Sequence, residues 1–188
     1  MSEEELERVW TDLLAGRSRA PTTVIGKPGI YALFLTDPAR LKDLAFGPDG
    51  LLYIGKAGKR LKRRYHFAHT DSARSSPRRS LGALLKQELG LQAIPRGSKN
   101  AAADFDRYRF TPEGEACLTT WMKAYLDYAF VVVEQKTISI EKKLIAAKKP
   151  PLNLTDWDNP QAPFIEARRR HCRDKAKGAH KMGVEVTA

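Results

Sequence analysis

The sequence predicts a small α+β domain built on a short central sheet. Three observations predict it. Three short apolar or β-branched runs, GIYALFL from Gly29, LLYIG from Leu51 and AFVVVE from Ala129, have strand length and strand composition. Between and around them lie stripes of apolar residues at helical spacing. The 188 residues, 42% hydrophobic and 29% charged, suffice for one buried core.

The elements follow in order. Leu6, Val9, Trp10, Leu13 and Leu14 make a helical stripe beneath an acidic face, ended by Gly16 and Pro21. The strands at 29–35 and 51–55 are near neighbours, separated by Asp-Pro and Gly-Pro-Asp-Gly turn chemistry, and are expected to pair antiparallel. From Lys56 to Arg79 there are nine basic residues and one acid, with Leu61, Tyr65 and Ala68 at helical spacing, so a basic helix is expected. Ser76 followed by Pro77 reads as a helix start, with Leu81, Leu84, Leu85 and Leu89 on one face and Gly90 as the stop. Residues 91–109 read as a polar loop. Thr111-Pro112-Glu113 starts a helix whose buried face is Leu118, Trp121, Met122, Tyr125 and Leu126. After the third strand, Thr137 can cap a helix carrying Ile138, Ile140, Leu144 and Ile145, ended by Pro150-Pro151. Pro160 and Pro163 mark a boundary, and residues 166–181 hold seven basic residues against two acids, a basic helix or arm. The expected organisation is an N-terminal helix (1–20), a central domain (21–159) and a basic C-terminal extension (160–188).

Charge narrows the function. Lys and Arg number 33 against 22 Asp and Glu, a formal net charge of +11, which points to a polyanion and most simply to a nucleic acid. Two cysteines with no metal spacing argue against a disulfide scaffold and a structural zinc site. An acidic start without an apolar stretch is not a secretory signal, and the apolar runs are too short to span a membrane. The expectation is a cytoplasmic protein with no membrane partner, monomeric or homodimeric.

Four signals share one theme: Gly29-Ile30-Tyr31 on the first strand, Tyr53-Ile54-Gly55 on the second, the Arg/His-rich segment after it, and Glu141 followed twelve residues later by Asn153 in EKKLIAAKKPPLN. In this order they resemble the GIY-YIG nuclease superfamily. The segment HFAHTDSARSSPRRSLGALL is similar to one in some bacterial members. The resemblance implies a three-stranded antiparallel sheet flanked by helices, and a metal-dependent endonuclease acting on DNA.

The chemistry also stands on the residue types. Hydrolysing a phosphodiester needs a positioned water, something to take its proton, and positive charge for the developing anion. Glu141 is the candidate ligand for a hard divalent ion, Mg2+ or Mn2+, in a single-metal site. Taken alone, a Glu near a helix start only complements the dipole. The resemblance gives Tyr31 first, and Tyr53 second, the role of positioning or deprotonating the water. A phenol has a pKa of about 10, so this needs nearby positive charge such as Lys56. It also implies one phosphate-binding arginine, Arg63 by counting from Tyr53 or Arg64 by the Leu61 spacing, a choice the sequence leaves open. His66 is implied as proton donor or phosphate ligand, and Asn153 as a buttress of the site. Arg78 and Arg79, at a helix start, and Lys56 are candidates for contacts to the nucleic acid. The competing reading is a non-catalytic nucleic-acid-binding protein with the same fold. A ribosomal or RNA-associated structural protein would explain the charge but not the Glu141–Asn153 spacing.

Overall fold

A computed structural model describes residues 2–19, 27–58, 66–67, 71–99 and 101–181. The chain divides into two compact units, residues 1–65 with 123–162 and residues 66–122 with 163–188.

The first unit is the expected α+β body. Helix α1 (Glu3–Ala15) starts where Ser2 Oγ accepts the Glu5 N–H, with three glutamates in its positive first turn. A four-stranded sheet follows in the order β1-β6-β2-β3, from β1 (Ser18–Arg19), β2 (Gly29–Leu35), β3 (Leu51–Ala57) and β6 (Leu126–Val132). Every pairing is antiparallel. Three full strands thus make the expected sheet, and β1 adds a two-residue edge. Strand β2 lies between its partners, with Tyr31 opposite Gly55 on one side and Phe130 on the other.

Alternation decides what each face does. Ile30, Ala32 and Phe34 of β2, with Ile54 of β3 and Ala129 of β6, pack against Val9, Trp10 and Leu13 of α1 and Ile140, Leu144 and Ile145 of α5 (Thr137–Lys148). Residues one step out of phase, Tyr31, Tyr53 and Tyr128, occupy the opposite face.

The second unit holds α2 (Ser76–Leu84), a two-stranded ribbon of β4 (Ala93–Ile94) and β5 (Arg109–Phe110), the short α3 (Ala102–Asp106), most of α4 (Pro112–Tyr125), and α6 (Ala162–Lys181). Gly82 of α2 has no room for a Cβ, because the Phe110 ring lies against it.

Several boundaries move. The expected loop at 91–109 contains β4 and α3 and runs into β5, because Ala93, Ile94, Phe105 and Tyr108 are buried among its polar neighbours. Leu126 opens β6 rather than closing α4, since its pairing with Leu35 replaces the helical hydrogen bonds. The α2 cap is Ser75, whose Oγ accepts the Arg78 N–H, one residue before the expected Ser76. Of the expected basic helix over 56–79, residues 59–65 and 68–70, with Leu61, Tyr65 and Ala68, lie outside the described residues. At its ends, Lys56 and Ala57 complete β3, and Ser72–Arg74 is a 3-10 turn capped by Asp71. The C-terminal basic segment is a helix, with Ile165, Cys172 and Ala176 as its buried stripe.

Candidate active site

Strand β3 is the outer strand of its sheet, so its free edge carries backbone groups that need partners. Residues after it in sequence by about a hundred positions supply them. The Leu152 N–H donates to the Leu52 carbonyl at 2.9 Å. The Asn153 carboxamide then reads Ile54 as a second strand would: Oδ1 accepts the Ile54 N–H and Nδ2 donates to the Ile54 carbonyl, both at 2.9 Å. One residue pair further on, the Lys56 N–H donates to Glu141 Oε1 at 3.0 Å. The Lys56 ammonium forms an ion pair with Glu141 Oε2. Glu141 and Asn153 therefore sit side by side along the YIG strand because each occupies one step of its edge.

Helix α5 presents Glu141 from its second turn, while Ile140 and Leu144 anchor its other side in the core. The carboxylate side chain is 13% exposed, shielded yet reachable. The Asn153 turn is itself clamped. Trp157 Nε1 donates to the Pro150 and Asn153 carbonyls at 3.1 and 2.9 Å. Asn159 Nδ2 donates to the Pro151 and Asn153 carbonyls at 2.8 and 3.0 Å. Sequence reasoning missed both clamps; a Trp and an Asn among Thr, Asp and Pro read as loop polarity, and only their burial shows the role.

The phenols gather on the opposite face. Tyr31 is buried, stacked on Tyr128 with ring centroids 5.9 Å apart and 17° between planes, and tilted against Tyr53 at 6.0 Å. Gly55 makes this possible: a Cβ there would run into the Tyr31 ring. The glycine of the second motif is thus the seat for the tyrosine of the first. Gly29 is constrained in the same way by the Phe130 ring and the Val131 carbonyl.

A profile of the GIY-YIG catalytic domain matches residues 29–175. This chain belongs to the GIY-YIG catalytic-domain family. Both motifs, Glu141 and Asn153 fall inside the matched range. No curated protein and no solved structure matches the chain. Among the described residues no helix is long and apolar enough to cross a membrane.

In this GIY-YIG domain the two units divide the expected site residues. Tyr31, Tyr53, Lys56, Glu141 and Asn153 belong to the first unit, and His66, Arg78 and Arg79 to the second. Arg63 and Arg64 lie outside the described residues.

Two expectations in the second unit need correction. Arg78 is fully buried and donates inward: to Glu115 Oε2 at 2.7 Å, to the carbonyls of Glu115 and His66, and to Thr119 Oγ1. Glu115 is satisfied in turn by the Ser72 N–H and hydroxyl and the Phe110 N–H. A guanidinium so placed holds a core together and cannot meet a nucleic-acid backbone. Arg79 is half-buried, its Nη1 donating to the carbonyls of Ser72 and Ala73, so it ties a turn instead of projecting. His66 is buried, with Nδ1 2.7 Å from Ser75 Oγ. Sequence could not distinguish these because a buried, paired Arg and a solvated one are the same letter.

Of the expected site residues, Glu141 alone carries a carboxylate. Among the described residues no group of three or more His, Cys, Asp or Glu is placed to hold a metal ion. One carboxylate fits a hard cation that keeps most of its shell as water and phosphate oxygen.

Proposed function

We propose that this chain is a metal-dependent endonuclease that hydrolyses phosphodiester bonds of DNA. The observation that carries the reading is the position of the Glu141 carboxylate, hydrogen-bonded to the backbone of the YIG strand at Lys56 in a GIY-YIG catalytic domain. Glu141 would hold one Mg2+ or Mn2+ ion. Such an ion supplies positive charge for the anion that develops at the phosphate.

The chain's own residues do the rest. Asn153 fixes the edge of β3, and with it the distance from Glu141 to the strand. Tyr31, held between Gly55 and Tyr128, offers a phenol oxygen to position the attacking water, and Tyr53 offers a second. The Lys56 ammonium adds charge beside the carboxylate and is a candidate to approach the DNA phosphate. The phosphate-binding arginine is Arg63 or Arg64. His66 has no part in this scheme while its ring is enclosed on Ser75.

The Lys56–Glu141 ion pair favours a second reading, a nucleic-acid-binding protein that no longer cuts, because a lysine then occupies the carboxylate a cation needs. Supercoiled plasmid incubated with and without magnesium separates the two. Magnesium-dependent nicking that Glu141→Ala abolishes is expected. Salt-sensitive binding with no cutting by either protein would select the second reading.

A further inference from the structure

With Arg78 and Arg79 turned inward, the charge that would grip a polyanion must be presented elsewhere. The second unit carries an open groove of about 370 Å³ between α2 and α6. Its walls are Ala83, Lys86 and Gln87 on one side and Arg168 and His171 on the other. We infer that this groove and the basic stripe of α6 beside it form a docking surface for the backbone of duplex DNA. The inference rests on the reading that the chain acts on DNA.

Helix α6 is fixed so that one row of its cations faces out. Ile165, Cys172 and Ala176 form its buried stripe, and Tyr108 bolts it to α2 by bonding the Arg79 carbonyl at 3.1 Å and the Cys172 thiol. Arg168, His171 and Lys175 then follow at i, i+3 and i+7 on one exposed face. They extend over about 10 Å of helix, a length against which a duplex presents several phosphates. The Phe164 ring lies 5.1 Å from the Arg168 guanidinium and steadies it. Asp174 flanks the stripe, and Arg173 Nε stands 3.8 Å from its carboxylate.

The α2–α6 contact also concentrates positive charge. Arg79 has its pKa lowered to about 10, first by burial and then by the charge of Arg169 on α6, with Arg107 acting in the same direction. An apolar ligand has little to recommend it here, and a backbone contact needs no sequence-specific reader.

The test is binding of a short fluorescein-labelled DNA duplex, followed by anisotropy over a range of salt without divalent cations. The combined variant Lys86→Glu, Arg168→Glu, Lys175→Glu is compared with a charge-matched control, Lys42→Glu, Lys123→Glu, Lys136→Glu, at exposed sites of the first unit. The groove variant should lose about tenfold or more in affinity, and its slope of log affinity against log salt should shrink by about 0.9 per lost contact. The control should lose far less. Equal losses in both variants, or wild-type affinity and slope in the groove variant, would overturn the docking surface. Tighter binding of an RNA duplex than of the DNA would overturn DNA as its occupant. Glu141→Ala is read separately by plasmid nicking: if it cuts as well as wild type, the nuclease mechanism fails while the binding comparison still decides the groove.

Discussion

Asn153 pairs with Ile54 through both ends of its carboxamide, donating to the carbonyl and accepting from the N–H at 2.9 Å each. A side chain here does the work of a strand residue. It closes the edge of β3 and sets the register at which Glu141 meets Lys56, one step further along. The Glu-to-Asn spacing is thus a length of helix and turn that returns the chain to a particular strand edge.

Asn153→Ala should destabilise the fold by about 2–3 kcal/mol, since it removes two buried hydrogen bonds and strands an N–H and a carbonyl of Ile54. Chemical denaturation measures this as a lower midpoint at unchanged slope. Asn153→Asp keeps an acceptor for the Ile54 N–H but turns an oxygen toward the carbonyl, so it should not restore wild-type stability. A midpoint equal to wild type in both variants would show the edge pairing to be dispensable.

Gly55→Ala should cost about 1–3 kcal/mol and reduce nicking, because the new methyl collides with the Tyr31 ring. Gly58→Ala is the internal comparison: among the described residues nothing lies within 4 Å of a Cβ built there, so it should be near neutral. Denaturation midpoints and plasmid nicking on the same preparations check both.

Arg78→Ala should destabilise by about 3–5 kcal/mol by leaving the Glu115 carboxylate buried without its cation. Adding Glu115→Gln removes that charge and keeps an acceptor for the Ser72 and Phe110 N–H groups. The double variant should therefore lose less than the two singles combined. Additive losses in a double-mutant cycle would show the pair to be uncoupled.

Alkaline pH should destabilise the fold beginning near pH 9. Burial raises the Cys172 thiol above its ordinary value of 9.0, outweighing its hydrogen bond with Tyr108. Burial, then the neighbouring Cys172, raises Tyr108 well above 10.0. Both groups hold their protons in the folded state after the unfolded chain has lost them. Their contribution is complete below the ordinary values and is lost as pH rises above them, by up to about 1.4 kcal/mol per pH unit per group. Arg79, lowered to about 10, acts in the opposite direction above that pH, because there the unfolded chain binds the extra proton. The thiol is the first of these groups to act, between pH 9 and 10. Thermal melts should fall across that window more steeply for wild type than for Cys172→Val.

The sheet was legible because alternation and β-branched runs mark strands directly: Gly29–Leu35 matches the expected run residue for residue. The candidate site was legible through order and spacing, which brought Tyr31, Tyr53, Glu141 and Asn153 forward before any geometry. What escaped was set by partners distant in sequence. Ala93–Ile94 is a strand only because Arg109–Phe110 lies beside it, and Leu126 leaves its helix only because Leu35 offers a ladder.

By itself the sequence determined the strand runs, the helical stripes, the net positive charge and the motif residues, since these depend on local periodicity and side-chain chemistry. Tertiary structure alone decided which cations face water. Arg78 and Arg168 are the same residue type in equally basic surroundings. One is sealed by Glu115 and Thr119, and the other stands on the outer face of α6. Burying a guanidinium requires a carboxylate and carbonyls arranged around it in space, and that arrangement exists only after the chain has folded.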